Sequence, residues 1–275
     1  MSLVLRGVRY RYAGSRIDAL GGIDLAVPSG SVTGLVGPNE AGKSTICLVA
    51  AGLAPATIGG HLEGVVSIDG LESSSARPHE LAQRCGILFQ NPATQLSGTA
   101  PTVWEEVAFG PRNLALPVDD VVDRVTDALA ALGIESLAER DPTRLSGGQA
   151  QLVALAGILA LRPAVVILDE PTSQLDPQGT RMVGDALRLL VRESRTAILV
   201  AEHKTALLDQ LADRVVLVDE GRLVLEGPTA EVLSDPALAQ HGVEPPPRVR
   251  IRSALTAAGF GTPRETDLLL AELAR

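Results

Sequence analysis

Three short motifs, set in a fixed order along 275 residues, constrain this chain more than anything else in it. Gly37-Pro38-Asn39-Glu40-Ala41-Gly42-Lys43-Ser44 fits the G-x-x-x-x-G-K-S phosphate-binding loop. Leu145-Ser146-Gly147-Gly148-Gln149 follows it, and Val165-Val166-Ile167-Leu168-Asp169-Glu170 closes the series. The loop lies between an apolar strand over 31–36 and a helix expected to start near Gly42 and stop at Gly52. In that setting backbone N–H groups and a helix N-terminus face an anion, so a nucleotide phosphate is the expected ligand. Lys43 supplies a cation to a γ-phosphate, the Ser44 hydroxyl a ligand for Mg²⁺, and Thr45 reaches the α-phosphate.

Asp169 and Glu170 end an apolar strand, at the edge where open α/β sheets bind ligands. There Asp169 is expected to hold Mg²⁺, directly or through water, and Glu170 to orient or deprotonate an attacking water. An Asp-Glu pair at a strand end is ordinarily a turn. With a phosphate loop upstream, the chemical role outweighs the turn.

Composition narrows the setting. With 33 acidic against 24 basic residues the net charge is −9, which disfavours a sequence-independent grip on nucleic acid. The longest apolar runs, such as 152–161, fall short of the roughly 18–20 residues needed to cross a bilayer. Arg6, Arg9 and Arg11 interrupt the first apolar stretch, so no leader is expected, and a membrane role would come through a partner. Cys47 and Cys85 sit in apolar segments without metal or disulfide spacing and read as buried thiols. Because aromatics make up only 2% of the chain, Leu, Val, Ile and Ala must form the core.

Periodicity points to an α/β architecture. Short strands are expected over 3–12, 23–27, 31–36, 65–68 and 85–89. From 91 to 144 the pattern turns helical, with Val121, Val122, Val125, Ala128, Leu129 and Leu132 at helical spacing in 118–132. Ser146 and Gln149 form an S-x-x-Q capping box, so a helix should begin at that motif and run to about 161, buried because it is apolar nearly all round. Continuous apolar strands over 164–168 and 196–201 suit the middle of a parallel sheet. A hairpin is expected from 214–218 and 222–225 around Asp219-Glu220-Gly221. After a cassette spanning 1–235, with its helical part over about 91–161, a smaller unit over 236–275 is expected. There Pro245-Pro246-Pro247 forms a stiff connector, helices follow over 249–258 and 263–273, and Thr262 with Glu265 caps the second.

The Leu145-Ser146-Gly147-Gly148-Gln149 segment resembles the signature of the ATP-binding cassette (ABC) ATPases, and the resemblance covers essentially the whole chain. It implies a P-loop parallel-sheet core with an antiparallel β subdomain and an α-helical subdomain, here with a small C-terminal helical extension. It also implies ATP and Mg²⁺ as ligands and a head-to-tail pairing of two cassettes. In such a pair each ATP lies between residues 37–45 of one copy and Ser146, Gly147, Gly148 and Gln149 of the other. Gln90 matches the Q-loop glutamine that touches Mg²⁺ or the water, and His203 the switch histidine that contacts the γ-phosphate. In Ser173-Gln174-Leu175-Asp176, Asp176 matches the residue that reaches across the dimer. Tyr12 matches the aromatic that stacks on adenine; alternation sends Tyr10 to the same sheet face, so periodicity leaves both open.

Phe89-Gln90-Asn91-Pro92 with Gln95-Leu96, the run Val107 through Leu114, and the tail markers Gly227-Pro228-Thr229 and His241-Gly242-Val243 are similar to the ATPases of energy-coupling factor (ECF) transporters. This implies an ATPase peripheral to the cytoplasmic face of the membrane, paired with itself or a sister ATPase. It would dock on a transmembrane coupling subunit beside a substrate-binding membrane subunit, for uptake of a vitamin or of a transition-metal ion such as cobalt. Three departures stand out. Glu40 occupies a place usually held by glycine, Ala150-Gln151-Leu152 lacks the usual basic residues, and 97–103 is longer than in typical relatives and contains Pro101.

Overall fold

In the computed structural model, which describes residues 2–258, two sheets enclose a helix that starts at the phosphate loop. Strands β1 (Leu3–Arg11) and β2 (Leu20–Val27) pair antiparallel, their inward side chains alternating with outward ones. The fully buried β3 (Val32–Val36) then runs into the loop and α1 (Lys43–Ala50). Strand β4 (His61–Ile68) returns beside β1, and β5 (Leu71–Glu72) completes a four-stranded sheet in the order β2-β1-β4-β5. After α2 (Pro78–Ala82) and β6 (Cys85–Leu88) come α3 (Val103–Asn113) and α4 (Val118–Ala131), which both pack on α5 (Gly147–Leu161).

Strands and helices then alternate through β7 (Val165–Asp169), α6 (Pro177–Ser194), β8 (Ala197–Ala201) and α7 (Thr205–Leu211). The hairpin β9 (Arg214–Asp219) and β10 (Arg222–Pro228) is followed by three helices, α8 (Thr229–Val232), α9 (Ala237–Gln240) and α10 (Pro247–Ala257). The second sheet has the order β10-β9-β3-β8-β7-β6, parallel from β9 to β6, with β10 antiparallel at its edge.

Alternation along the parallel strands divides the interior into two cores. In β7, Val166 and Leu168 face the helical side with Val153 and Leu155 of α5. Val165 and Ile167 face the other side, where Ile46, Cys47 and Val49 of α1 pack between the two sheets. Each such Val, Leu or Ile contributes about 1.5–3 kcal/mol on full burial, and strands buried on both faces need an unbroken apolar run. Both cysteines are buried in this second core, and burial pushes the Cys85 thiol up to about 12.

Several expectations shift by a few residues, for identifiable reasons. Strand β2 starts at Leu20 because its pairing with β1 extends to Tyr10, which lies opposite Leu20. Pro246 caps α10 and Pro247 occupies its first turn, where a missing N–H costs nothing, so part of the expected connector is helix. Helix α6 was not anticipated, although Asp176 accepts from the Gly179 N–H at 2.7 Å as its N-cap and Pro177 follows at the first helical position. The 97–103 segment folds back onto α3: the Ser97 N–H and hydroxyl both donate to Glu106, at 2.6 and 2.7 Å, and Thr102 caps the helix.

Residues 236–258 pack on the rest of the chain. Leu238 and Val243 join the helical core, Thr205 donates to the carbonyl of Glu244, and Arg248 grips Asp209 through two hydrogen bonds. The helix expected over 263–273 and its cap at Thr262 lie outside the described residues. Among those described, no helix is long and apolar enough to cross a membrane.

The seam between α5 and β6 is tight. A Cβ added to Gly86 would meet Ile158 Cγ2 at 2.4 Å, a methyl on a branched Cβ whose χ1 is stiff in a helix. Gly86→Ala is therefore expected to destabilise the protein by about 1–3 kcal/mol through overpacking. Denaturant unfolding should show a lower midpoint at unchanged slope; an unchanged midpoint would mean that α5 can retreat freely.

Candidate functional site

The phosphate loop is shaped by close backbone contacts. A Cβ on Gly37 would lie 2.1 Å from the carbonyl oxygen of Val218, so only glycine lets the loop pass the end of β9. From the other side the Gly221 N–H donates to the carbonyl of Ala41 at 2.9 Å, so the β9–β10 hairpin braces the loop. Gly42, with φ 102°, caps α1. Glu40 is held at φ 63°, a left-handed conformation that costs a side-chain-bearing residue about 1–2 kcal/mol. The loop thus keeps its turn without the usual glycine, and the exposed Glu40 side chain stands at the wall of the cleft.

Lys43 is only 6% exposed, and its Nζ donates to the carbonyls of Gly37 and Pro38, each at 2.8 Å. Burial lowers its pKa, while the carboxylates of Glu170 and Asp169 pull the other way. The Ser44 hydroxyl hydrogen-bonds the Asp169 carboxylate, whose pKa is raised chiefly by burial. Two hard oxygen donors thus meet at one point beside the loop, a donor set that fits Mg²⁺.

Glu170 is gripped from two sides. Gln90 Nε2 donates to its Oε2 at 2.9 Å, and His203 Nε2 lies 3.0 Å from its Oε1. The residue itself sits at φ 53°, in the left-handed region where strained side-chain-bearing residues concentrate at functional sites. Register brings the group together. Leu35 of β3 and Asp169 of β7 both align with Ala201 of β8, so the loop, the acidic pair and His203 leave the sheet along one edge.

Glu40, Lys43, Ser44, Gln90, Glu170 and His203 line a cleft of about 980 Å³ together with Asn39, Ala41, Gly42 and Thr45, whereas Gly37, Pro38 and Asp169 are not among its lining residues. The two tyrosines separate cleanly. Tyr10 is fully buried and donates to the carbonyl of Gly59 at 2.5 Å, whereas Tyr12 lines the cleft, with its hydroxyl 3.1 Å from Thr45 Oγ1. The rings meet edge to face, with centroids 4.9 Å apart. Arg9, Asp18 and Arg222 complete the outer rim; they were not anticipated, because nothing local in the sequence distinguishes them from surface charges.

Ser146, Gly147, Gly148, Gln149 and Asp176 do not line this cleft. Ser146 caps α5 as expected: its hydroxyl accepts from the Gln149 N–H at 3.3 Å, and Gln149 Oε1 accepts from the Ser146 N–H at 3.1 Å. A Cβ on Gly147 would meet only the Gln174 side chain, at 2.1 Å from its Oε1, and that exposed amide can swing away, so packing within the chain does not require glycine there. One connecting residue went unassigned in the sequence. Gln151, 1% exposed in an otherwise apolar helix, donates to the carbonyl of Glu170 at 3.0 Å and accepts from the Gln174 N–H at 3.3 Å. A single amide in an apolar run was its signal.

A phosphate loop on the central strand of a parallel sheet, an acidic pair on a strand two places away and a glycine-rich helix start define an ABC-type nucleotide-binding domain. The family model described as ABC transporter matches residues 20–173. The energy-coupling factor transporter ATP-binding protein EcfA of Methanothermobacter thermautotrophicus is 39% identical over 260 residues, which is 93% of this chain and 80% of that protein. Among solved structures, cbiO1 from Clostridium perfringens, part of the ABC transporter complex cbiONQ, superposes with a TM-score of 0.76 at 30% identity and 98% coverage of both chains. The dimeric cassette MJ0796 bound to ADP and Pi gives 0.73 at 25% identity, covering 82% of this chain and 98% of its own. The chain belongs to the ABC transporter ATP-binding family, and it is an ATPase.

With a triphosphate in this cleft, the Glu40 carboxylate at its wall would repel the bound phosphates. Glu40→Gly removes both the repulsion and the left-handed strain, so the KM for ATP is expected to fall about two- to fivefold, as for a screened surface charge. Steady-state kinetics check this; a KM that stays the same or rises would show that the carboxylate does not face the phosphates.

Proposed function

We propose that this chain is the ATP-hydrolysing subunit of an importer of the energy-coupling factor type. The observation that carries the chemistry is Glu170 held between Gln90 and His203 beside the phosphate loop. In this reading the triphosphate lies across the N-terminus of α1, with Lys43 on its γ-phosphate and the N–H groups of 39–45 around it. Ser44 and Asp169 would hold Mg²⁺, with Gln90 as a further candidate ligand. The cation would supply charge neutralisation on the phosphate oxygens. Glu170 positions the attacking water and takes its proton, His203 steadies the γ-phosphate, and Tyr12 stacks on the adenine.

The signature lies outside the cleft, which supports a head-to-tail pair of cassettes. Ser146 to Gln149 of a second copy, or of a sister ATPase, would close over each ATP and contribute N–H groups from the start of α5, while Asp176 crosses the seam. Gln90 leads into the segment before α3, and on α3 itself Phe109 is 48% exposed. That face suits an apolar helix from a transmembrane coupling subunit. Hydrolysis would thus be transmitted from Glu170 through Gln90 to a membrane partner, with the ATPase peripheral on the cytoplasmic face. The similarity to EcfA and cbiO1 supports a vitamin or a transition-metal ion as cargo, captured by a separate membrane subunit.

Co-expression of the full chain with the polytopic proteins encoded beside it tests this. One coupling subunit and a small substrate-binding membrane protein should co-purify, and Phe109→Glu should release the ATPase while the isolated chain still hydrolyses ATP. Recovery instead with a symmetric permease pair would assign the chain to a different class of ABC transporter.

A further inference from the structure

The carboxylate of Glu202 has no place in the site described so far, yet it is among the most buried polar groups in the protein, at 2% exposure. It sits between the end of β8 and His203. One oxygen, Oε1, accepts the backbone N–H of His203 at 2.9 Å and of Lys204 at 3.1 Å. The other, Oε2, accepts the hydroxyl of Thr172 at 2.7 Å. Thr172 is itself fully buried and stands two residues after Glu170. Lys204 closes the same junction from outside, its Nζ donating to the carbonyl of Thr172 at 2.7 Å. Two turns that leave adjacent parallel strands are thereby tied together, one carrying Glu170 and the other His203.

The His203 side chain is 39% exposed and has little packing to hold it. Its placement 3.0 Å from Glu170 must therefore come from its backbone. Burying a carboxylate is costly unless its oxygens are hydrogen-bonded, and an apolar residue would fill the same space at no such cost. We infer that Glu202 is a positioning residue for hydrolysis: by holding the His203 backbone against Thr172, it sets the spacing between the switch histidine and Glu170. The inference rests on the reading of His203 and Glu170 as the groups that act on the γ-phosphate and the water. A displacement of about 1 Å in such a pair can cost up to a hundredfold in rate.

The test is steady-state ATP hydrolysis by the full chain with magnesium, with Lys43→Ala setting the zero. Glu202→Ala should lower kcat by at least about tenfold, within that range, while the KM for ATP stays within about twofold, because the phosphate loop is untouched. Glu202→Gln, whose amide oxygen still accepts both N–H groups, should recover most of the rate. In a His203→Ala background, Glu202→Ala should cost nothing further, since interacting residues do not add. Should Glu202→Ala fail to fold, Thr172→Val removes only the hydroxyl and should lower kcat about threefold, the scale of one net hydrogen bond.

Parent-like kcat in Glu202→Ala, or in Thr172→Val where that variant carries the test, overturns the inference. So does failure of Gln to rescue, or an equal further loss in the His203→Ala background. If His203→Ala alone turns over at the parent rate, it is the reading of the site itself that fails, and the inference falls with it.

Discussion

A buried ammonium organises this molecule. Removing a charge from water costs several kcal/mol, and Lys43 recovers that cost by donating to the carbonyls of Gly37 and Pro38 in the loop that precedes it. The loop must therefore curl back over its own lysine. It can do so only where the backbone passes within van der Waals contact of Val218 and where the Gly221 N–H takes up the carbonyl of Ala41. Those two contacts fix β3 beside β9. Its other neighbour, β8, carries Glu202 and His203 from its end, and β7 beyond it delivers Asp169 and Glu170. Sheet order and site composition are thus one constraint seen at two scales.

Within one chain the cleft gathers Lys43, Ser44, Gln90, Glu170 and His203, but the glycine-rich start of α5 is not among its walls. The chain couples the two internally all the same. Gln151 reaches from α5 to the carbonyl of Glu170 and the N–H of Gln174, so the helix that bears Ser146 to Gln149 is fastened to the turn that bears Glu170. Under the proposed pairing, this link would report closure over one ATP to the neighbouring ATP site.

Much of this was legible in the residues. Apolar runs at 164–168 and 196–201 marked the buried strands because both faces of a parallel sheet are covered, and Ser146 with Gln149 announced the start of α5 through their capping box. The phosphate loop and the acidic pair follow from chemistry that few other arrangements satisfy. Other features were not legible, because they depend on distance between remote residues. Tyr10 and Tyr12 are equivalent by alternation; only the end of β1 at Arg11 and the packing of Tyr10 under Gly59 separate them. Glu202 reads as a charge at a strand end until Thr172, thirty positions earlier, is seen against it. Helix α6 stayed hidden although Asp176-Pro177 is a helix-start signal, because a carboxylate suited to reach across a dimer looks no different from one that caps a helix.

The central claim is that ATP completes its own binding site by drawing a second cassette over the first. Light scattering on the Glu170→Gln chain, alone and mixed with any sister ATPase encoded beside it, tests this most directly. The mass of one chain is predicted without nucleotide, and that of two cassettes with ATP and magnesium, reverting when Ser146 is also changed to Arg. A chain that saturates with ATP yet keeps the mass of a single cassette in both mixtures would contradict the account.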